Sequence, residues 1–299
     1  MSERDRWSGI FVPVTTPFDE VTGDPAPVAL REGVKRLLEA GVDGIVLFGS
    51  TGEGDLLDAA EKVRLTGLAR DRVPASRALV CGAAAESTRG TIRLAERLAD
   101  AGADAVLVHP PWYYGPFLSP DALRAHFEAV ADASPVPVLL YHMPKYTRVT
   151  LEAGLVGELA QHPNVPALKD SSGDLKRLGA YIEACGAACR VLVGSGTLIY
   201  AALETGAAGA VVAVGNLAPE ACVRIAERYA AGDTGGAGAA QELVAPLHRE
   251  IVGGYGVPGV KAALDTLGLA GGRPRPPLRP LGAKARAEVA RVLREAGMA

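Results

Sequence analysis

The sequence predicts an α/β protein, a (β/α)8 TIM barrel with a C-terminal helical appendix, and three observations carry that prediction. Apolar runs of strand length alternate eight times with stretches of helical period. The runs are near-continuously apolar, as strands covered on both faces of a parallel sheet must be, and eight β-then-α units close into a barrel. No glycine fingerprint for phosphate follows the first run, where Thr15-Thr16-Pro17-Phe18 stands, which argues against an open doubly wound sheet.

Gly9 to Thr15 forms the first strand, and Val28 to Ala40 then sets Leu30, Val34, Leu37 and Leu38 on one helical face before Gly41 caps it. Gly44 to Gly49 is the second strand, and Asp58 with Glu61 has the form of a capping box opening the second helix. Strand Ala78 to Cys81 precedes helix Thr88 to Ala101. Strand Ala105 to Val108 precedes a helix with Ser119 as cap and Pro120 at its first position, where a missing N–H loses nothing. Strand Val136 to Tyr141 leads to helix Leu151 to Gln161, and strand Val165 to Lys169 to helix Leu175 to Ala184. Strand Arg190 to Gly194 leads to helix Leu198 to Glu204, and strand Ala208 to Val214 to helix Pro219 to Ala230. Gly232 to Gly236 reads as a flexible connector between a barrel domain, 1–233, and an appendix, 234–299. The appendix has helical stretches at Ala239 to Val252, Val260 to Leu267 and Ala283 to Glu295, with prolines 274, 276, 277 and 280 breaking the pattern between the last two.

Composition narrows the function. The 299 residues carry 31 Lys plus Arg against 34 Asp plus Glu, a net charge of −3, so nucleic acid is not an expected partner. Charged residues at the N-terminus, with Pro13 and Pro17 soon after, do not make a signal peptide. The most apolar run, Gly206 to Ala218, is too short for the roughly 20 residues of a membrane helix, so no membrane association is expected. Cys81, Cys185, Cys189 and Cys222 form no disulfide framework, and a reduced, cytoplasmic setting fits them.

Reactive groups of such a barrel come from the C-terminal ends of its strands. Those ends are polar here: Gly49-Ser50-Thr51-Gly52-Glu53, Pro111-Trp112-Tyr113-Tyr114, Tyr141, Lys169 and Gly194-Ser195-Gly196. A lysine ending an apolar strand inside a barrel faces desolvation, which disfavours the ammonium form and favours a nucleophilic amine. Such an amine is a Schiff-base candidate, and the competing reading of Lys169 is an ion pair at the rim, with Asp170 or another carboxylate. Tyr141 has a similar alternative as a packed ring. Lysine, tyrosine and a Ser-Thr pair at one barrel mouth supply the nucleophile, proton carrier and hydroxyl donors that imine chemistry on a 2-oxo acid needs.

The segments Gly49 to Glu53, Tyr141-His142-Met143-Pro144, Leu168 to Asp174, Gly209 to Asn216 and Pro258-Gly259-Val260-Lys261 resemble the dihydrodipicolinate synthase and N-acetylneuraminate lyase family over nearly the whole chain. The resemblance implies a class I aldolase that needs no metal or cofactor, with Lys169 forming an imine with pyruvate and Tyr141 moving the proton at the substrate oxygen. It also implies that Ser50 and Thr51, with backbone N–H groups of the turn through Gly52, hold the pyruvate carboxylate, and that Ser50 links Tyr141 to a proton relay. Tyr113, or a neighbour at 112 or 114, corresponds to a tyrosine that reaches a neighbouring subunit's site. A homo-oligomer, a dimer of dimers, is therefore expected. Val211 matches a position whose carbonyl faces the site.

The synthase branch carries an arginine two residues beyond the proline that follows its tyrosine, where this chain has Tyr146, with Lys145 and Arg148 nearby. The stretches from His162 to Asp174 and from Val193 to Gly196 look more like the 4-hydroxy-2-oxoglutarate and 2-keto-3-deoxygluconate aldolase branches, with Ser171, Gly194 and Ser195 at the substrate's distal end. The expected function is thus cleavage or formation of a 4-hydroxy-2-oxo acid. Condensation of pyruvate with aspartate semialdehyde is the alternative, and a non-catalytic pyruvate sensor a lesser one. The five histidines lack ligand spacing for a metal. Gly254 to Gly259 matches Gly-x-Gly-x-x-Gly but follows no strand, and reads as a loop between helices. Cys185 and Cys189 read as solitary packed thiols, and His142 as facing the helices rather than the chemistry.

Overall fold

A computed structural model describes residues 5–299; the Met1–Arg4 part of the charged N-terminus lies outside the described residues. Eight parallel strands close into a barrel in chain order. They are β1 (Gly9–Pro13), β2 (Gly44–Leu47), β3 (Ala78–Gly82), β4 (Ala105–Val108), β5 (Val138–His142), β6 (Ala167–Asp170), β7 (Arg190–Val193) and β8 (Gly209–Val211). The helices between them are α1 (Pro27–Glu39), α2 (Ala59–Arg70), α3 (Thr88–Asp100), α4 (Pro120–Ala133), the short α5 (Pro144–Thr147), α6 (Ala153–Leu159), α7 (Leu175–Cys185) and α8 (Ile199–Thr205). After β8 come α9 (Pro219–Ala230), α10 (Thr234–Pro246), a π-helix (Leu247–Gly253), α11 (Gly254–Thr266) and α12 (Ala283–Glu295). Among the described residues no helix is long and apolar enough to cross a membrane.

Strand alternation sorts the side chains into two layers. Phe11, Val46, Val80, Leu107, Leu139 and Leu192 pack inside the barrel, with Trp7 beside them, while Ile10, Ile45, Leu79, Val106, Leu140 and Leu168 pack outward against the helices. Tyr141 follows Leu139 in the inward set, so β5 points it into the mouth. The expected caps form: the Asp58 carboxylate accepts from the Glu61 N–H at 2.8 Å, the Glu61 carboxylate from the Asp58 N–H at 2.9 Å, and the Ser119 hydroxyl from the Ala122 N–H at 3.2 Å.

Four local expectations need correction. The eighth strand stops at Val211 rather than Val214, because the chain turns into a 3-10 helix (Ala213–Asn216) whose Asn216 side chain donates to the Pro13 carbonyl at 2.8 Å, where a longer strand would have paired. The fifth strand starts at Val138, one residue beyond Pro137, which has no N–H for a ladder, and runs on through His142. Gly232 to Gly236 is not a free connector: the Asp233 carboxylate accepts from the Gly236 N–H at 2.8 Å and starts α10. Gly254 to Gly259 is not a loop either but the beginning of α11, broken at Gly256, whose φ of 61° only glycine adopts without strain.

The C-terminal helices are fastened to the barrel beside its mouth. The Lys261 ammonium in α11 lies 2.6 Å from the Glu53 carboxylate and donates to the carbonyls of Thr16 at 2.7 Å and Arg273 at 2.9 Å. Arg275 forks onto Glu61 at 2.7 and 2.6 Å, and its backbone N–H donates to Glu53 at 2.7 Å.

Candidate active site

The β5–β6 register sets Tyr141 directly beside Lys169. Both are buried, and the Lys169 amine sits 4.1 Å from the centre of the Tyr141 ring. The Tyr141 hydroxyl lies 3.2 Å from that of Ser50. Ser50 reaches it because the chain bends sharply after β2. Phe48 takes φ 56°, and its carbonyl is seated where a Cβ on Gly54 or Gly82 would come within 1.9 or 2.1 Å. Only glycine at both positions allows that bend, and a bulky residue at positive φ costs of order 1–3 kcal/mol that the surrounding packing must offset.

A cavity of about 160 Å³ opens over the Lys169 amine. Of the candidate residues, Ser50, Thr51, Tyr141 and Lys169 line one part of it, and Ser171, Gly194, Ser195 and Val211 the other. Gly194 is required there: a Cβ at that position would lie 1.9 Å from the Ser171 hydroxyl. Two candidates are not brought to this cavity. Gly52 spends its N–H on the Gly49 carbonyl at 3.0 Å, inside the turn, and its own carbonyl accepts from the Thr16 hydroxyl at 2.7 Å. Tyr113 is 67% exposed on the rim, its N–H donating to Glu86 at 2.8 Å. Beyond Tyr141 the cleft widens into a second space of about 570 Å³, where Trp112, Lys145, Tyr146 and Tyr255 stand.

Sequence reasoning missed several residues. His248, on the π-helix, lines the cavity: its Nδ1 accepts from the Gly196 N–H at 3.1 Å, and its Nε2 lies 3.5 Å from the Ser195 hydroxyl. Burial, with the Lys145 charge adding, pushes its pKa down to about 4, so the ring is neutral. The π-helix is the kind of irregularity that gathers at functional sites, but no local pattern signals it. His142 faces outward as expected, yet it is not idle: its Nδ1 lies 2.8 Å from Asp170 and 3.2 Å from the Tyr181 hydroxyl. Asp170 pairs with His142 rather than with Lys169, which leaves the lysine free of the rim ion pair with Asp170 that was its competing reading. The thiols of Cys185 and Cys189 are buried and free, the Cys189 thiol donating to the Arg190 carbonyl at 3.7 Å, and their mutual interaction holds the Cys185 pKa down and, with burial, the Cys189 pKa up.

With this geometry in view, comparison with known proteins is decisive at the level of family. The profile of the dihydrodipicolinate synthetase family matches residues 6–296. The chain belongs to that family. It is 40% identical over 247 residues, 82% of its length and 79% of the relative's, to 4-hydroxy-tetrahydrodipicolinate synthase 1 of Streptomyces coelicolor. It is 36% identical over 282 residues, 93% and 91% of the two chains, to a probable mitochondrial 4-hydroxy-2-oxoglutarate aldolase of Emericella nidulans. Its fold superposes with a TM-score of 0.92, at 30% identity over 98% and 99% of the two chains, on the chloride-inhibited dihydrodipicolinate synthase of Acinetobacter baumannii complexed with pyruvate. The dihydrodipicolinate synthetase family consists of class I lyases, and this chain is a pyruvate-dependent lyase of that kind.

Proposed function

We propose that the chain is a Schiff-base aldolase acting on a 4-hydroxy-2-oxo acid such as 4-hydroxy-2-oxoglutarate or 2-keto-3-deoxygluconate. The observation that carries this is the buried Lys169 amine above the Tyr141 ring, with Ser50 on the tyrosine hydroxyl. Lys169 attacks the C2 carbonyl and, as water leaves, forms an imine. Tyr141 takes the C4 hydroxyl proton, the C3–C4 bonding electrons move into the iminium to give an enamine, and the aldehyde departs. Protonation at C3 and hydrolysis then release pyruvate and restore the amine. Ser50 and Thr51 hold the carboxylate next to C2, and Ser171 and Ser195 meet the distal end. Val211 offers its carbonyl to the same cavity.

The choice of branch is supported by Tyr146, which shares the cavity with Lys169. Tyr146 lines both spaces where the synthase branch carries arginine, and a phenol cannot grip a carboxylate with two parallel N–H donors. Arg148 is exposed, lines neither space and does not replace it. Lys145 does line both, which favours condensation with aspartate semialdehyde as the second reading. A homo-oligomer in which Tyr113 or a neighbour enters a second copy's site is supported by the exposed rim of Trp112, Tyr113, Tyr114 and Phe117. A cytoplasmic setting is supported by four buried free thiols.

Borohydride trapping with pyruvate, peptide mapping and a pyruvate-release assay test the proposal together. An adduct on Lys169 with pyruvate release from either 2-oxo acid is expected, as is no adduct with Lys169→Ala. An adduct without release would move the assignment to the synthase, and no adduct would overturn the mechanism.

A further inference from the structure

We propose that His109, backed by Asp55, is the proton reservoir of this site, joined to the Tyr141–Ser50 hydroxyl pair by one water seated in a small cavity between them. The inference rests on the imine chemistry proposed above and assigns a role to residues that chemistry has not used. Behind Tyr141 lies a cavity of about 20 Å³, lined by Ser50, Asp55, Lys62, His109 and Tyr141. That is room for one water, which needs about 10–15 Å³ and two to four polar partners.

His109 follows β4 and packs edge-on to Tyr141, with ring centres 6.4 Å apart. Its Nδ1 lies 2.9 Å from the Pro110 carbonyl, which can only accept, so Nδ1 carries a proton. The neutral ring therefore presents a bare Nε2, and that nitrogen faces Asp55 at 3.6 Å. Proton uptake at Nε2 makes an imidazolium paired with a carboxylate. The Asp55 side chain is 67% exposed, so the far end of the chain of groups meets solvent while the near end is buried.

The charges around the ring agree with this role. Burial opposes the imidazolium, but Asp55, the Pro110 carbonyl and Glu86 outweigh it, and the His109 pKa lies above the usual histidine value. The partnership with His109 in turn holds Asp55 below the usual carboxylate range. Lys62, on α2, is buried with its pKa lowered by that burial, and offers donors to the same cavity. His126, on α4, is held neutral by its burial, with the His109 charge adding to the effect.

The step balances. As the Tyr141 O–H passes its proton to the water, the water passes one to His109 Nε2, and the phenolate accepts the C4 hydroxyl proton while the C3–C4 bond breaks. The returning proton travels from Nε2 through the water and Tyr141 to C3 of the enamine, and the phenol is regenerated.

Exchange of the pyruvate methyl protons for solvent deuterium needs only the imine–enamine interchange, so it reads this relay whichever aldehyde is the partner. The wild-type exchange rate, followed across roughly pH 5 to 9, is expected to fall on the acid side as Nε2 becomes protonated. His109→Gln should lower the rate by about tenfold or more and flatten that limb, with partial rescue by added imidazole. Asp55→Asn, at an exposed position, should move the limb to lower pH. Trapping of pyruvate on Lys169 should be unchanged in both variants. A wild-type rate and limb in His109→Gln overturns the relay and leaves the imine assignment standing. Absence of trapping in the wild type overturns both.

Discussion

Replacing Lys261 with methionine should destabilise the whole chain, although the residue lies outside the barrel and far along the sequence from the turn it holds. The Lys261 and Glu53 side chains are 1% and 0% exposed and 2.6 Å apart. Burial lowers the Lys261 pKa while Glu53 opposes the shift, as expected of an ammonium whose lost hydration is replaced by a carboxylate. Methionine keeps the stem and removes the charge, leaving the Glu53 carboxylate with the Arg275 N–H and stranding the Thr16 and Arg273 carbonyls. Removing one partner of a buried pair costs about 3–5 kcal/mol. At roughly 2 °C per kcal/mol for a chain of this size, the melting temperature should fall by about 6–10 °C. Glu53→Gln should destabilise as well, and the double variant should be less damaged than the sum of the singles, with a coupling of about 2 kcal/mol. Denaturant unfolding of the four proteins measures this directly. Pyruvate release should fall in both singles before they unfold, because Glu53 closes the turn that carries Ser50 and Thr51. A loss below about 1 kcal/mol, or strictly additive singles, would refute the reasoning.

Two further outcomes follow from single histidines. Burial, with the His109 charge adding, lowers the His126 pKa to about 4; its Nδ1 meets the Thr88 hydroxyl at 2.9 Å and its Nε2 has no partner. Its folded value lies below its unfolded one of about 6.5, so stability is complete above the unfolded value and declines as pH falls toward about 4, by about 3 kcal/mol in all. His248 has the same lowered pKa and keeps its own share of the decline, so the loss between the two ends of that window should shrink by about 3 kcal/mol in His126→Gln without vanishing, and an unchanged slope in the variant would exclude His126 as a source. His248→Ala should strand the Gly196 N–H and loosen Ser195, lowering kcat/KM for a 4-hydroxy-2-oxo acid about tenfold or more through KM. Pyruvate trapping should be untouched, and a wild-type KM would remove His248 from the distal wall.

What was legible in the sequence was whatever is encoded locally. Apolar runs marked the strands, and their parity alone gave the inward Tyr141 and outward His142, since neighbours on a strand face opposite ways. Asp58 and Glu61 announced a helix start because a capping box is complete within four residues. His248 and Ser195 are 53 positions apart, and the Lys261–Thr16 bond spans 245, so no window on the sequence contains either contact. The shortened β8 failed for the same reason: Val211 to Val214 is apolar enough to continue, but an asparagine further on claims the Pro13 carbonyl 203 positions away. Tyr113 differs in kind. Its N–H is held by Glu86 while its ring is exposed, so nothing within one chain completes the role that family resemblance implies for it.

The two faces of β5 and β6 explain why this chemistry is precise enough to work on so small a scaffold of reacting groups. Tyr141 pairs with Lys169 and His142 with Asp170 along the same ladder, so every inward reacting residue is followed by an outward polar one. Outside, Asp170 takes His142 Nδ1 at 2.8 Å, the Ser172 N–H at 3.0 Å and the Ser172 hydroxyl at 2.7 Å, while the Tyr181 hydroxyl holds the Leu151 carbonyl at 2.5 Å. A one-residue slip between these strands would turn Asp170 inward and bury Lys169 among the helices. The outward network opposes that slip, which would break the buried His142–Asp170 bond and draw Asp170 away from its two part-buried bonds to Ser172, each of them expensive to leave unmade. The register that brings the lysine amine over the tyrosine ring is thus enforced from the reverse side of the sheet, by residues that never meet the substrate.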